Sequence, residues 1–139
     1  MVPSLRSLLD NIEPESDFIV HAPDALDASS PCSYRLVWAV RLHHEMVFCL
    51  PDGGFHQANL AFVTHPITGE VHAFIIASHE DHEGCWQEII SCDELLECRG
   101  WDDFLDCLYS YSLDSGLELT VTNRDAFLHV MPAWTDALA

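Results

Sequence analysis

The spacing of apolar residues predicts a helix at the start of the chain and strands in its middle. Leu5, Leu8 and Leu9 follow Ser4 at helical intervals, and serine is a residue that commonly caps helices. From residue 34 to residue 42 the period changes to two, which is typical of a strand with one apolar face. We expect that face to carry Tyr34, Leu36, Trp38, Val40 and Leu42.

Later apolar runs predict that the chain continues as an antiparallel meander. The runs 59–64 and 71–77 flank His65–Glu70, in which a proline and a glycine favour a turn. A second loop is expected over His79–Gly84, followed by a strand at 85–90. Shorter strands are predicted at 18–20, 46–50 and 117–121.

The pattern after residue 90 is typical of helices. Ser91 and Glu94 have the spacing of a capping box, and Gly100 can adopt the left-handed conformation that often ends a helix. An apolar stripe that begins at Trp101 and includes Phe104 predicts a second helix. The fold class predicted for residues 1–139 is therefore a single α+β domain. It should contain a curved antiparallel sheet, a meander of five or six strands, with two or three helices packed on one face.

The charge of the chain restricts the kinds of molecule that it can bind. Its 23 acidic residues and five arginines, with no lysine, give a formal charge of −18, although 49% of the residues are hydrophobic. A folded protein of this charge repels nucleic acid and anionic membranes and attracts basic protein surfaces. A phosphate-binding loop of the GxxxxGK[ST] type is impossible without lysine. We therefore expect a basic protein partner, no direct nucleic-acid or membrane binding, and no cofactor.

The cysteines and the apolar runs indicate a location. Several of the six cysteines lie within apolar patterns, where reduced cysteine behaves as a small hydrophobic residue. The first 18 residues contain no apolar run of signal-peptide length, and no stretch approaches the roughly 20 residues of a membrane span. A reduced, cytoplasmic protein is the expectation.

Ten acidic residues between positions 80 and 106 are opposed by a single arginine. They could be a solvated face that keeps an apolar-rich protein soluble, or a docking surface whose charge speeds association with a basic protein. The docking hypothesis predicts a partner-binding site formed by Glu88, Asp93, Glu94, Glu97, Asp102, Asp103 and Asp106, with Trp86 as an aromatic anchor.

A metal-dependent enzyme is a second hypothesis. His79, His82 and Cys85 supply ligand types that zinc accepts, although their spacing matches neither HExxH nor a paired CxxC motif. No glycine-flanked serine or cysteine suggests a nucleophile. We therefore predict that the protein is not an enzyme and binds no metal, and keep these three residues as the candidate ligands of the alternative.

Two segments resemble a known family. The run RLVWAV at 35–40, followed by ANLAFVTHPITG at 58–69, resembles the RsaM-type regulators of bacterial acyl-homoserine-lactone quorum sensing. The resemblance implies a short, acidic, cytoplasmic protein, rich in sheet, that represses signal production without an established enzymatic activity. An anti-defence or immunity protein that mimics nucleic acid, in the manner of inhibitors of nucleases or CRISPR complexes, is the alternative. A homodimer formed through a sheet edge stays open for either function.

Overall fold

The computed structural model describes residues 2–10, 12, 18–27, 29–44, 55–81, 84–115, 119–121 and 134. It contains six strands, two α-helices and one short 3-10 helix within these ranges. In chain order they are α1 (Leu5–Leu9), β1 (Ile19–Pro23), β2 (Pro31–His44), β3 (Phe55–Thr64), β4 (Val71–Asp81), β5 (Gly84–Ser91), the 3-10 helix (Asp93–Glu97), α2 (Trp101–Ser115) and β6 (Leu119–Val121).

The strands form one antiparallel sheet that curls into a half-barrel. Strands β1 to β5 lie in sequence order, and β6 pairs with β2. Because β2 has 14 residues, β1 pairs with its first part, up to Arg35, and β6 with its last part, from Leu42 to His44. The predicted curved antiparallel sheet with helices on it is confirmed.

One β-bulge in β2 corrects the predicted pattern of that strand. Leu36 pairs with Val63, but Trp38 pairs with Phe62, so Val37 is an extra residue between two regular ladders. An extra residue moves every later side chain to the other face, because side chains alternate along a strand. Tyr34 and Leu36 therefore belong to one apolar cluster and Trp38 and Val40 to the other, instead of sharing the single face that the sequence predicted.

The helices cover the face that carries Trp38 and Val40. Leu5 and Leu9 of α1, both fully buried, share this cluster with residues of the 3-10 helix and of α2. Trp134 is also fully buried, donates its indole N–H to Pro3 O at 2.9 Å, and packs its ring against Phe104. The second cluster, on the opposite face, is centred on Tyr34, Val63 and Phe74.

Three further predictions need correction. The helix expected after Ser91 is a five-residue 3-10 helix, so the α-helices number two among the described residues. Its N-cap is Cys92, which makes no side-chain capping bond; Ser91 instead still belongs to β5. The loop expected over His79–Gly84 is mostly strand, since β4 runs to Asp81 and β5 begins at Gly84. The strand expected at 46–50 lies outside the described residues.

Other predictions agree with the structure. Ser4 caps α1, its hydroxyl oxygen accepting from Ser7 N at 3.3 Å, and Gly100 has a positive φ of 111° between the 3-10 helix and α2. Cys32, Cys92, Cys98 and Cys107 are free cysteines. Within the described ranges, no helix has both the length and the apolar character needed to cross a bilayer.

Candidate functional site

A pair formed by a buried histidine and a partly exposed aspartate joins two loops at one end of the sheet. Asp24 begins the β1–β2 loop, and His65 begins the β3–β4 turn. The Nε2 atom of His65 lies 3.0 Å from Asp24 Oδ1, although the two residues are 41 positions apart. The His65 ring is almost wholly buried, whereas the Asp24 side chain retains about a fifth of its exposure.

The backbone of the β3–β4 turn fixes the tautomer of His65. The N–H groups of Ile67 and Thr68 point to His65 Nδ1 at 3.1 and 3.3 Å, so this nitrogen accepts and carries no proton. The ring proton is therefore on Nε2 and is donated to Asp24. Asp24 Oδ1 also accepts from Leu26 N at 2.8 Å. The Leu26 N–H first, and the His65 bond second, lower the pKa of Asp24.

Tyr34 lies between this pair and a second one. Its hydroxyl donates to Pro23 O and accepts from Ala25 N, both at 2.9 Å, and its ring meets those of His65 and His72 edge-on. Burial raises the pKa of Tyr34. Both hydrogen-bonding functions of the hydroxyl are thus used to hold the β1–β2 loop against the sheet.

The second pair joins β4 to the 3-10 helix. His72 Nδ1 lies 2.9 Å from Asp93 Oδ2, while Asp93 Oδ1 accepts from Ala73 N at 2.8 Å. The pairing between β4 and β5 ends at Phe74 and Ser91. The Asp93 carboxylate accepts the hydrogen bond of the next N–H along β4, that of Ala73, where β5 no longer pairs with β4. Both carboxylate oxygens of Asp93 are therefore hydrogen-bonded within the protein.

Asp24, Cys32 and His65 form a group of three potential metal ligands, whose candidate atoms all lie within 4.8 Å of one another. The hydrogen bonds of His65 do not suit a metal ion. A neutral histidine that binds metal through one nitrogen carries its proton on the other, yet here Nδ1 already faces two N–H donors and Nε2 holds the proton. Metal binding would require either an imidazolate or a broken turn.

The same contacts leave no nucleophile–base pair in this cluster. Burial, followed by the negative charge of Asp24, raises the pKa of the Cys32 thiol. A cysteine nucleophile needs the opposite shift, together with a base that has a free nitrogen. Both nitrogens of His65 are occupied, so this arrangement of cysteine, histidine and aspartate is suited to holding loops together.

The predicted docking residues differ in whether their carboxylates have partners within the protein. Glu97 forms an exposed ion pair with Arg6, Nε to Oε1 at 3.0 Å. The carboxylate of Asp103 accepts from Arg99 N at 2.9 Å, which fixes the start of α2. Asp102, Asp106 and Glu94 are exposed, and none of them forms an ion pair with another described residue.

The outer face of α2 brings the exposed acids next to an aromatic ring. Asp102, Asp106 and Tyr109 recur at intervals of four and three residues, which places them along one side of the helix. Tyr109 is 53% exposed. Glu94 of the 3-10 helix lies near a different side of α2, because its charge, after burial, is the next largest cause that raises the pKa of Tyr111, which is about half a turn around the helix from Tyr109. We call Asp102, Asp106 and Tyr109 the acidic face.

Other predicted site residues lie on β4 and β5 or outside the described part. The register places His79 opposite Trp86 and Cys85 opposite Glu80, so the His79 and Cys85 positions are on opposite faces of the sheet. The side chains of these two residues, of Trp86 and of Glu88 are outside the described part, as is the whole of His82.

Sequence reasoning missed the Asp24–His65 pair. A local indication was available, since aspartate often accepts from the N–H two residues later, as Asp24 does from Leu26. The long-range partner had no such indication. No family model, no curated protein and no solved structure matches this chain.

Proposed function

We propose that this protein is a regulator or inhibitor that acts by binding a basic surface of another protein. The observation that carries the proposal is the acidic face. It combines two exposed carboxylates, without ion-pair partners among the described residues, with a half-exposed tyrosine. A protein of net charge −18 adds a long-range field of the same sign.

The components of the acidic face have different roles in binding. Exposed ion pairs contribute about 0–1 kcal/mol each, so carboxylates alone do not give a tight complex. Their main effects are faster association and the rejection of acidic partners. Tyr109 supplies the apolar area and the hydroxyl that an interface anchor needs, and tyrosine is enriched among such anchors.

The buried histidines support a binding function over a catalytic one. His65 uses both nitrogens within the fold, and His72 is tied to Asp93 through Nδ1. The raised pKa values of Cys32 and Cys98, the latter to about 12 and mainly through burial, keep these thiols protonated at neutral pH. Protonated thiols are poor nucleophiles.

The chemistry of the acidic face favours a partner that handles nucleic acid. Protein surfaces that bind the phosphate backbone are rich in arginine and lysine, and carboxylates are complementary to the same side chains. The resemblance of residues 35–40 and 58–69 to quorum-sensing regulators makes a transcription regulator the first partner to test. A nuclease or defence effector as partner would favour the anti-defence alternative.

Site-specific cross-linking tests this proposal. A photoreactive phenylalanine analogue at position 109 should cross-link a basic protein in source cells. The same analogue at position 67, where Ile67 is 85% exposed in the β3–β4 turn, is the matched control. Cross-linking at 109 but not at 67, weakened by added salt, supports the proposal. Equal products at both positions, or none at 109, would contradict it.

A further inference from the structure

A cleft of about 350 Å³ lies between the end of α1 and the β3–β4 turn. The charged residues Asp10 and Arg35 line it, together with Thr64, which carries a hydroxyl group at the end of β3. The remaining described residues that line it are Leu9, His65, Pro66, Gly69 and Val71. Its volume is at the lower end of the range for small-molecule sites, so it suits a compact ligand.

Arg35 differs from the other arginines whose side chains the structure describes. Arg6 bonds to Glu97 and to Val71 O, and Arg99 bonds to Val2 O at 3.0 Å. Arg35 forms no ion pair or hydrogen bond through its side chain with any described residue, although the protein has more than four acids for each arginine. The Asp10 carboxylate, in the same cleft, is likewise without an ion-pair partner in the described part.

The charges restrict which ligand can occupy this cleft. A guanidinium favours carboxylate or phosphate. A phosphate would bring more than one negative charge toward a protein of charge −18 and toward Asp10. A zwitterion brings no net charge, and its cationic group can approach Asp10 while its carboxylate meets Arg35.

We propose that this cleft binds an amino acid with an apolar side chain. The α-carboxylate contacts the Arg35 guanidinium, and the α-ammonium contacts the Asp10 carboxylate. The side chain lies against Pro66, the exposed apolar residue of the lining, beneath which Leu9 and Val71 are buried. This site is separate from the acidic face, so its test and the cross-linking test fail independently.

A set of three related molecules tests whether both charges of the ligand are needed. L-Phenylalanine is titrated into the full-length protein by NMR, beside 3-phenylpropanoate, which lacks the ammonium, and 2-phenylethylamine, which lacks the carboxylate. Because a hydrogen bond to a charged group contributes about 1.5–3 kcal/mol, each truncated molecule should bind about tenfold more weakly or worse. L-Leucine and L-methionine, which keep both charges, should bind in the same range as phenylalanine.

Variants locate the binding. Arg35→Gln and Asp10→Asn should each weaken phenylalanine binding about tenfold, whereas Asp102→Asn, which removes one charge from α2, should leave it unchanged. Arg35→Gln should also remove the preference for phenylalanine over 2-phenylethylamine. The proposal is overturned if none of the three amino acids binds saturably up to about 10 mM. It is also overturned if the truncated molecules bind as well as phenylalanine, or if Asp102→Asn has the same effect as Asp10→Asn.

Discussion

His65 donates its Nε2 proton to Asp24 Oδ1 across 3.0 Å and so ties the β3–β4 turn to the β1–β2 loop. The Leu26 N–H donates to the same carboxylate oxygen, and the Ile67 N–H donates to the other ring nitrogen, Nδ1. The pair thus links two loops that belong to different strand connections. Because the β3–β4 turn also forms a wall of the cleft, this pair positions the proposed amino-acid site.

Replacing Asp24 by asparagine should reduce the acid sensitivity of the protein. The folded pKa of Asp24 is lowered, so its contribution to stability is complete above the unfolded value of about 3.9 and is lost as the pH falls through the folded value. The wild-type protein should therefore lose more free energy of unfolding between pH 7 and about pH 3 than Asp24→Asn does. Urea denaturation at the two pH values measures the difference.

Asp27 provides the comparison for this experiment. Its pKa is also lowered, first by the Ser29 hydroxyl and then by the Ser29 N–H, and it lies in the same loop without contacting His65 in any described hydrogen bond. Asp27→Asn should reduce the acid sensitivity as well, and the double variant should reduce it further. An unchanged pH dependence in Asp24→Asn would show that the carboxylate charge does not support the loops.

Asp93 should behave as a structural residue, unlike the acids of α2. Asp93→Ala removes the acceptor of Ala73 N and the partner of His72, and should cost about 1–3 kcal/mol of unfolding free energy. Asp102→Asn, on the exposed side of α2, should change stability by less than about 0.5 kcal/mol. Chemical denaturation of both variants checks this, and equal effects would remove the distinction between the two aspartates.

Gly69 should tolerate asparagine better than alanine. Its φ is +73°, in the left-handed region, and a Cβ there would meet no atom within 4 Å. The cost of Gly69→Ala is therefore backbone strain alone, about 1–2 kcal/mol, and asparagine accepts this conformation more readily. Thermal unfolding should rank wild type above Gly69→Asn and Gly69→Ala lowest. An alanine variant as stable as wild type would show that the turn has changed conformation.

Trp134 should stabilise the fold through both its ring and its N–H. Trp134→Phe keeps most of the apolar contact with Phe104 but removes the bond to Pro3 O, and should cost about 1 kcal/mol. Trp134→Ala leaves a cavity in the core and should cost about 3–5 kcal/mol. Urea titration separates the two. If both variants lost the same free energy, the indole ring would not be packed as described.

Local patterns predicted the elements whose formation depends on neighbouring residues. The Ser4 cap, the His65–Glu70 turn and the stripe from Trp101 all follow from spacing within a few positions. The bulge at Val37 could not be predicted, because it depends on how β3 pairs with β2. The alternation of apolar residues in the sequence continues through position 37 without any sign of it. Alternation alone therefore predicts one face for residues 34 and 38, whereas the structure places them on different faces.

The candidate site was less predictable than the fold. Composition indicated an acidic surface, but sequence alone treated Asp93, Glu97 and Asp102 as equivalent. Only the fold separates Asp93, which completes the pairing of β4, and Glu97, which pairs with Arg6, from the exposed Asp102. The cleft of Asp10 and Arg35 joins residues of α1 and β2 that no local motif connects.

The most direct measurement for the central claim compares two double variants in partner capture. Asp102→Asn with Asp106→Asn removes two negative charges from the acidic face, and Asp10→Asn with Glu70→Gln removes two from exposed positions near the cleft. Each protein is immobilised, and recovery of the protein cross-linked at position 109 is quantified at low salt. We predict that the first variant loses most of this recovery and that the second keeps the wild-type level. Equal recovery by both variants would contradict binding through the acidic face.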